Sequence, residues 1–129
     1  MKKRVLCLAI SFFLFNLSLS FADASNPRGT IENFLSALKR GDIEELQNLT
    51  AGSYYSSNKN KIESNPAYSE FLKNFYENSE FRITGTLWDH DSIIYCVEVR
   101  TNGSVSAYTK FRLQKSGGPW KVTEELPVS

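Results

Sequence analysis

Histidine and cysteine are nearly absent from this sequence: His90 is the only histidine among 129 residues, and Cys7 and Cys96 are the only cysteines. A transition-metal centre needs three or four convergent ligands, and no second histidine or thiol stands near His90. No metal or other cofactor is therefore expected. A surplus of charge is missing too, with 15 basic against 14 acidic residues, so nothing draws the chain to nucleic acid or to an anionic membrane surface. No phosphate-cradling glycine motif follows a strand, and Ser116-Gly117-Gly118-Pro119 reads as a hairpin connection whose glycines serve backbone geometry.

The one long apolar run lies at the N-terminus. Met1-Lys2-Lys3-Arg4 is a short basic head, VLCLAISFFLFNLSLSF follows it, and Ala22-Asp23-Ala24 places small residues at the two positions a signal peptidase reads. Ser11, Asn16, Ser18 and Ser20 interrupt the run, which is short for a membrane span of about 20 apolar residues. Residues 1–24 are therefore expected to be a removed signal peptide, with the remainder exported to a periplasmic or extracellular location and no longer membrane-bound. The brief basic head and the cleavage pattern favour a bacterial source. Cys7 sits inside the apolar run rather than after it, and reads as one more apolar residue. Asn48-Leu49-Thr50 and Asn102-Gly103-Ser104 fit the glycosylation sequon, which matters only where export passes through an endoplasmic reticulum.

Residues 25–129 then make one domain by length. Removing Lys2, Lys3, Arg4 and Asp23 from the totals leaves 12 basic and 13 acidic side chains. Cys96 remains the only thiol, so no intramolecular disulfide can form. Its place within the apolar stretch SIIYCVEV points to burial.

Helical signals fill the first half of this domain. Asn26-Pro27 pairs a capping side chain with a ring at the first helical position, and Ile31, Phe34, Leu35 and Leu38 recur at helical spacing until Gly41. Asp42 caps a shorter helix with Ile43, Leu46 and Leu49 on its buried line and Glu44 and Glu45 in the first turn. From Thr50 to Asn65 the chain is rich in Ser, Asn and Lys and reads as a surface loop. Pro66 opens a third helix to about Asn78, with an aromatic side of Phe71, Leu72, Phe75 and Tyr76.

The second half alternates between apolar and polar residues, as four half-buried strands do. The apolar sides are Phe81, Ile83 and Leu87; Ile93, Tyr95, Val97 and Val99; Val105, Ala107, Phe111 and Leu113; Trp120 and Val122. Short connections make the strands an antiparallel meander. The predicted architecture is α+β, with three N-terminal helices packed on one face of a curved four-stranded sheet.

Parity bears on the turns, because opposite residues in an antiparallel pair share a face. A three-residue loop His90-Asp91-Ser92, or a five-residue loop from Trp88 to Ser92, joins the apolar sides of the first two strands. The first of these pairs Leu87 with Tyr95 and Ile83 with Val99. By the same rule a three-residue loop Thr101-Asn102-Gly103, with Gly103 left-handed in a bulge, is expected in place of a two-residue Asn-Gly turn. The stretch WDHDS is then a hairpin tip. A catalytic reading there lacks walls to orient a nucleophile and exclude water, so no catalytic residue is assigned.

The segments TIENFLSALKRGDIEELQNL at 30–49 and GGPWKV at 117–122, in the order helix, Gly-Asp, short helix, loop, helix, meander, resemble the NTF2-like superfamily, a cystatin-like α+β roll. The resemblance spans nearly all of residues 25–129. It implies a sheet curled around the long helix to leave a cone-shaped pocket, and a superfamily that holds isomerases, dehydratases, transport adaptors and small exported proteins. Enzymatic members carry acidic residues or histidine inside the cone, whereas the inward positions read here are apolar or aromatic. Tyr55, Phe71, Phe75, Tyr95, Phe111 and Trp120 are the candidate pocket residues. The opposite face offers Arg82, Trp88, Ile94, Cys96, Arg100, Tyr108 and Arg112, an aromatic and arginine mixture suited to an interface. Three functions follow: a non-catalytic exported module binding a small apolar ligand or a protein partner, a homodimer working through the sheet face, or a small isomerase or hydrolase using the cone.

Overall fold

The computed structural model describes residues 26–128. The expected signal peptide, with Cys7 and the Ala22 and Ala24 cleavage positions, lies outside the described residues. Four helices precede four strands: α1 Pro27–Arg40, α2 Ile43–Asn48, α3 Gly52–Ser64, α4 Tyr68–Tyr76, β1 Ser79–Asp89, β2 Ser92–Thr101, β3 Ser104–Lys115 and β4 Trp120–Leu126. The strands form one antiparallel sheet in the order β1-β2-β3-β4, so the α+β meander expected from the sequence is present. Among the described residues no helix is long and apolar enough to cross a membrane.

Local chemistry accounts for the first two helices. The Asn26 side chain accepts from the Gly29 amide at 2.7 Å, and Pro27 follows at the first turn. Gly41 ends α1 in the left-handed region, φ 66°, and the next amide, that of Asp42, donates back to the Ala37 carbonyl at 2.9 Å. Asp42 then caps α2 by accepting from the Glu45 amide at 3.1 Å, a bond that lowers its carboxyl pKa. Ile31, Phe34, Leu35 and Leu38 are buried as their spacing predicts. With Leu46 and Leu72 they pack on Ile93, Tyr95, Val97, Phe111, Leu113 and Val122 of the sheet.

The segment read as a loop is α3. Its sequence, GSYYSSNKNKIES, carries no clear apolar stripe, and tertiary contacts hold it instead. The Ala51 amide donates to the Val122 carbonyl at 3.0 Å, and the Ser53 hydroxyl donates to the Thr123 carbonyl at 3.1 Å, pinning the helix start to β4. Helices of marginal propensity persist when packing supplies what the sequence does not.

Both parity expectations about the hairpins are overturned. Asp89 pairs with Ser92 across a two-residue turn, with His90 left-handed at φ 58°. Thr101 pairs with Ser104, with Asn102 at φ 54° and Gly103 at φ 84° as a type I′ turn requires. Mixed faces are avoided because an extra residue enters each strand pair further along. Thr84 is bulged between Ile83 and Gly85, Ser106 between Val105 and Ala107, and Thr123 between Val122 and Glu124. Each bulged residue is a hydroxyl side chain that donates to a carbonyl of the neighbouring strand: Thr84 to Cys96 at 3.4 Å, Ser106 to Val99 at 3.2 Å, Thr123 to Arg112 at 3.3 Å. A bulge disrupts the ladder locally, and these hydroxyls offer its carbonyls a donor.

The bulges also decide which residues share a face. Ile83 pairs with Val97, not Val99, while Leu87 pairs with Ile94 and Trp88 with Ile93. Leu87 therefore lies on the outer face and Trp88 on the helix-covered side, the reverse of the alternation read from sequence. Val105 pairs with Arg100 and is likewise outward.

Candidate functional site

A cavity of about 750 Å³ opens between α1, α3, α4 and the sheet. Two of its lining rings, Tyr54 and Phe111, belong to an aromatic triad completed by the fully buried Phe34. Phe34 of α1 meets Tyr54 of α3 at 5.3 Å and Phe111 of β3 at 5.1 Å, both edge-on, and Tyr54 meets Phe111 at 6.3 Å. One side carries an aromatic ladder: Phe75, Tyr76 and Phe81 line the cavity, with Phe75 edge-on to Tyr76 at 4.9 Å and Tyr76 leaning on Phe81 at 5.2 Å, while Phe71 and Tyr68 continue the stack from Phe75 outside the lining. Ser79, Thr101, Ser106 and Thr109 add hydroxyls to the lining.

One carboxylate joins this lining. Glu125 pairs with Phe111 across β3 and β4, so it shares the cavity face, and it accepts from the Thr109 hydroxyl at 2.7 Å. The expectation of an entirely apolar or aromatic interior is corrected here. The bulge at Thr123 shifts the alternation by one residue and turns Glu125 inward where simple alternation would have turned it out. Its charge reaches the phenols around it. Tyr54, Tyr68 and Tyr76 all have pKa values raised by burial first and by Glu125 second, and each is held as a neutral phenol, Tyr54 most strongly.

Behind Tyr54 and Glu125 lies a second chamber of about 300 Å³, between α3 and β4. Asn58, 3% exposed, lines it. Its side-chain oxygen accepts from the Tyr68 hydroxyl at 3.4 Å, while its side-chain nitrogen has no partner. Such a buried amide group is a site for a polar atom from outside the chain.

Of the six pocket candidates, Phe75 and Phe111 line the cavity. Tyr95 and Trp120 are buried in the core instead, Trp120 meeting Trp88 edge-on at 6.2 Å. Phe71 is an exposed member of the ladder outside the cavity lining, and Tyr55 is half-buried away from the cavity. Sequence reasoning missed Tyr54, Tyr76, Asn58 and Glu125. Three of these sit on the unforeseen helix or beyond the unforeseen bulge, and no local signal marks either.

Six interface candidates share the outer face, and Trp88 leaves it. Their charges are engaged within the chain. Glu98, 8% exposed, takes Arg100 at 3.1 Å and Arg82 at 3.6 Å, and Arg112 takes Asp89 at 3.0 Å and Glu124 at 3.1 Å. Cys96 is half-buried, and Tyr108 borders the cavity mouth. His90 is exposed at its turn, and the hydrogen bond from Arg112, more than His90, holds the Asp89 carboxyl below its usual range. Among the described residues no cluster of three or more His, Cys, Asp or Glu side chains is disposed to hold a metal ion.

No family model matches the sequence, and no curated protein matches it significantly. Solved structures do match. RPA3114, a SEC-C motif containing protein from Rhodopseudomonas palustris, is 14% identical with a TM-score of 0.54, over 82% of this chain and 81% of that one. A Thiobacillus denitrificans chain named for the calcium/calmodulin-dependent protein kinase type II association domain is 9% identical with a TM-score of 0.51, over 80% and 95%. An NTF2-like protein, the Rd1NTF2_05 variant, is 16% identical with a TM-score of 0.50, over 76% and 92%. At these identities the likeness concerns the fold alone, and with the helix-covered meander and its cavity it identifies the chain as having an NTF2-like fold.

Proposed function

We propose that this chain is an exported NTF2-like module that binds a small, largely apolar ligand in the cavity beneath α4, without chemistry of its own. The carrying observation is the cavity of about 750 Å³ in which the rings of Tyr54, Phe75, Tyr76, Phe81 and Phe111 stand with the hydroxyls of Ser79, Thr101, Ser106 and Thr109 and the carboxylate of Glu125, a size usual for small-molecule sites. Export rests on the N-terminal sequence pattern. A reaction in the cavity is the second reading, supported by the carboxylate of Glu125 among neutral phenols. A homodimer through the outer face is a third, supported by exposed Leu87, Val105 and Tyr108.

Ala107 lines the cavity and lies opposite Val99, so Ala107→Phe fills it from the sheet side. Native mass spectrometry of the protein purified from its own host should show a retained small molecule, and Ala107→Phe should lose it while keeping its melting temperature. Binding of the neutral dye Nile red should fall in parallel. A host-purified protein without retained mass, together with equal dye binding by both forms, overturns the reading. The same spectra report the mature N-terminus and any dimer.

A further inference from the structure

The cavity's charge balance says more about its ligand than its shape does. Among the described residues, Glu125 is the only ionisable acid or base other than tyrosine in the lining, and Lys61 lines the adjoining chamber without forming an ion pair with it. Among the described residues Glu125 forms no ion pair; the salt bridges there join other groups, and its one hydrogen bond comes from the neutral Thr109 hydroxyl. Glu125 is itself partly open to solvent at the cavity, where an incoming ligand can reach it. Around it stand the rings of Tyr54, Tyr76 and Phe75, whose faces carry partial negative charge and attract cations.

Resting on the ligand-binding reading above, we propose that the cavity selects an organic cation: a ligand whose apolar body lies on the aromatic ladder and whose ammonium group sits against Glu125. An anion of the same size would meet a carboxylate and electron-rich ring faces, and a neutral molecule would gain only the apolar contacts. The tyrosines supply no countercharge, since a phenol is neutral or anionic and never cationic. The site therefore discriminates by charge as well as by shape.

Three probes of equal chain length isolate this discrimination: octylammonium, octanol and octanoate, titrated into the purified full chain and followed by heteronuclear NMR shifts. Octylammonium should bind about tenfold more tightly than octanol, the combined effect of one partly exposed ion pair and a cation–ring contact, and octanoate should bind more weakly than octanol. Glu125→Gln, which keeps the Thr109 hydrogen bond, should bring octylammonium down to the octanol value and leave octanol unchanged. Raising the salt concentration should shrink the ammonium preference in the wild type and not in Glu125→Gln. Equal binding of octylammonium and octanol, or a preference that survives Glu125→Gln, overturns the cation proposal while leaving a binding cavity. Failure of all three probes to bind overturns both.

Discussion

Gly41 offers the sharpest test of how the cavity wall is held in place. It ends α1 at φ 66°, and its carbonyl accepts from the Ser69 hydroxyl of α4 at 2.5 Å. A Cβ built on it falls against the Ser69 carbonyl oxygen, inside the 3.0 Å at which something must shift. Gly41→Ala therefore carries two costs. Left-handed backbone costs an L-residue about 1–2 kcal/mol, of which about 0.4–1 is offset by stiffening the unfolded chain. Displacing α4 adds about 1–3 kcal/mol, as overpacking does. Gly103 is an internal control, because its φ is 84° and a Cβ there meets nothing within 4 Å. Urea unfolding of both variants should give about 1 kcal/mol or less for Gly103→Ala and about 3 kcal/mol for Gly41→Ala, with a melting temperature roughly 15 °C lower in the second. Because α4 carries Phe75 and Tyr76, Gly41→Ala should also weaken Nile red binding, and Gly103→Ala should not. Equal destabilisation by the two substitutions would refute the claim that α1 and α4 meet at a point with room only for hydrogen.

Two further outcomes probe the same architecture. Thr123→Val keeps the volume of the bulged residue and removes the hydroxyl that lies within donating reach of the Gln114 side-chain oxygen at 2.9 Å and the Arg112 carbonyl at 3.3 Å; it should cost about 1 kcal/mol in urea unfolding, and a loss under about 0.3 kcal/mol would show that the bulge stands without its hydroxyl. Alkaline titration followed at 295 nm should show Tyr54, Tyr68, Tyr76 and Tyr95 resisting ionisation beyond the ordinary phenol value of 10.0, since burial raises all four. With the folded pKa above the unfolded one, the native state holds more protons above pH 10, so the stability these phenols contribute is complete below that pH and is lost as it rises; stability that stays flat from pH 9 to 12 would contradict their burial.

How much of this could be read in the residues depends on the distance over which each feature is decided. The caps at Asn26 and Asp42 and the stop at Gly41 are settled within four residues, by one side chain or one φ angle, and the sequence alone located them. The same holds for the stripe Ile31, Phe34, Leu35, Leu38, for the four alternating strands and for their order in a meander. Helix α3 was hidden because its stability comes from hydrogen bonds to Val122 and Thr123, about 70 residues further along the chain. Asn58 and Tyr54 were hidden with it.

The cavity's chemistry was decided at tertiary level for a related reason. Strand alternation has a period of two, so one extra residue reverses every side chain beyond it. Thr84, Ser106 and Thr123 each make such a reversal, and each is stabilised by a carbonyl on the adjacent strand that no local pattern reveals. The amino acids by themselves marked three of the four helices, the four strands and their order, the buried helix stripe and the exposure of His90. Pairing between distant strands determined that Trp88, though largely exposed, shares the face of Ile93, that Leu87 and Val105 turn to the outer face, and that the unpaired carboxylate of Glu125 lies on the cavity side while still open to solvent, because register is a property of two strands together and neither one carries it alone.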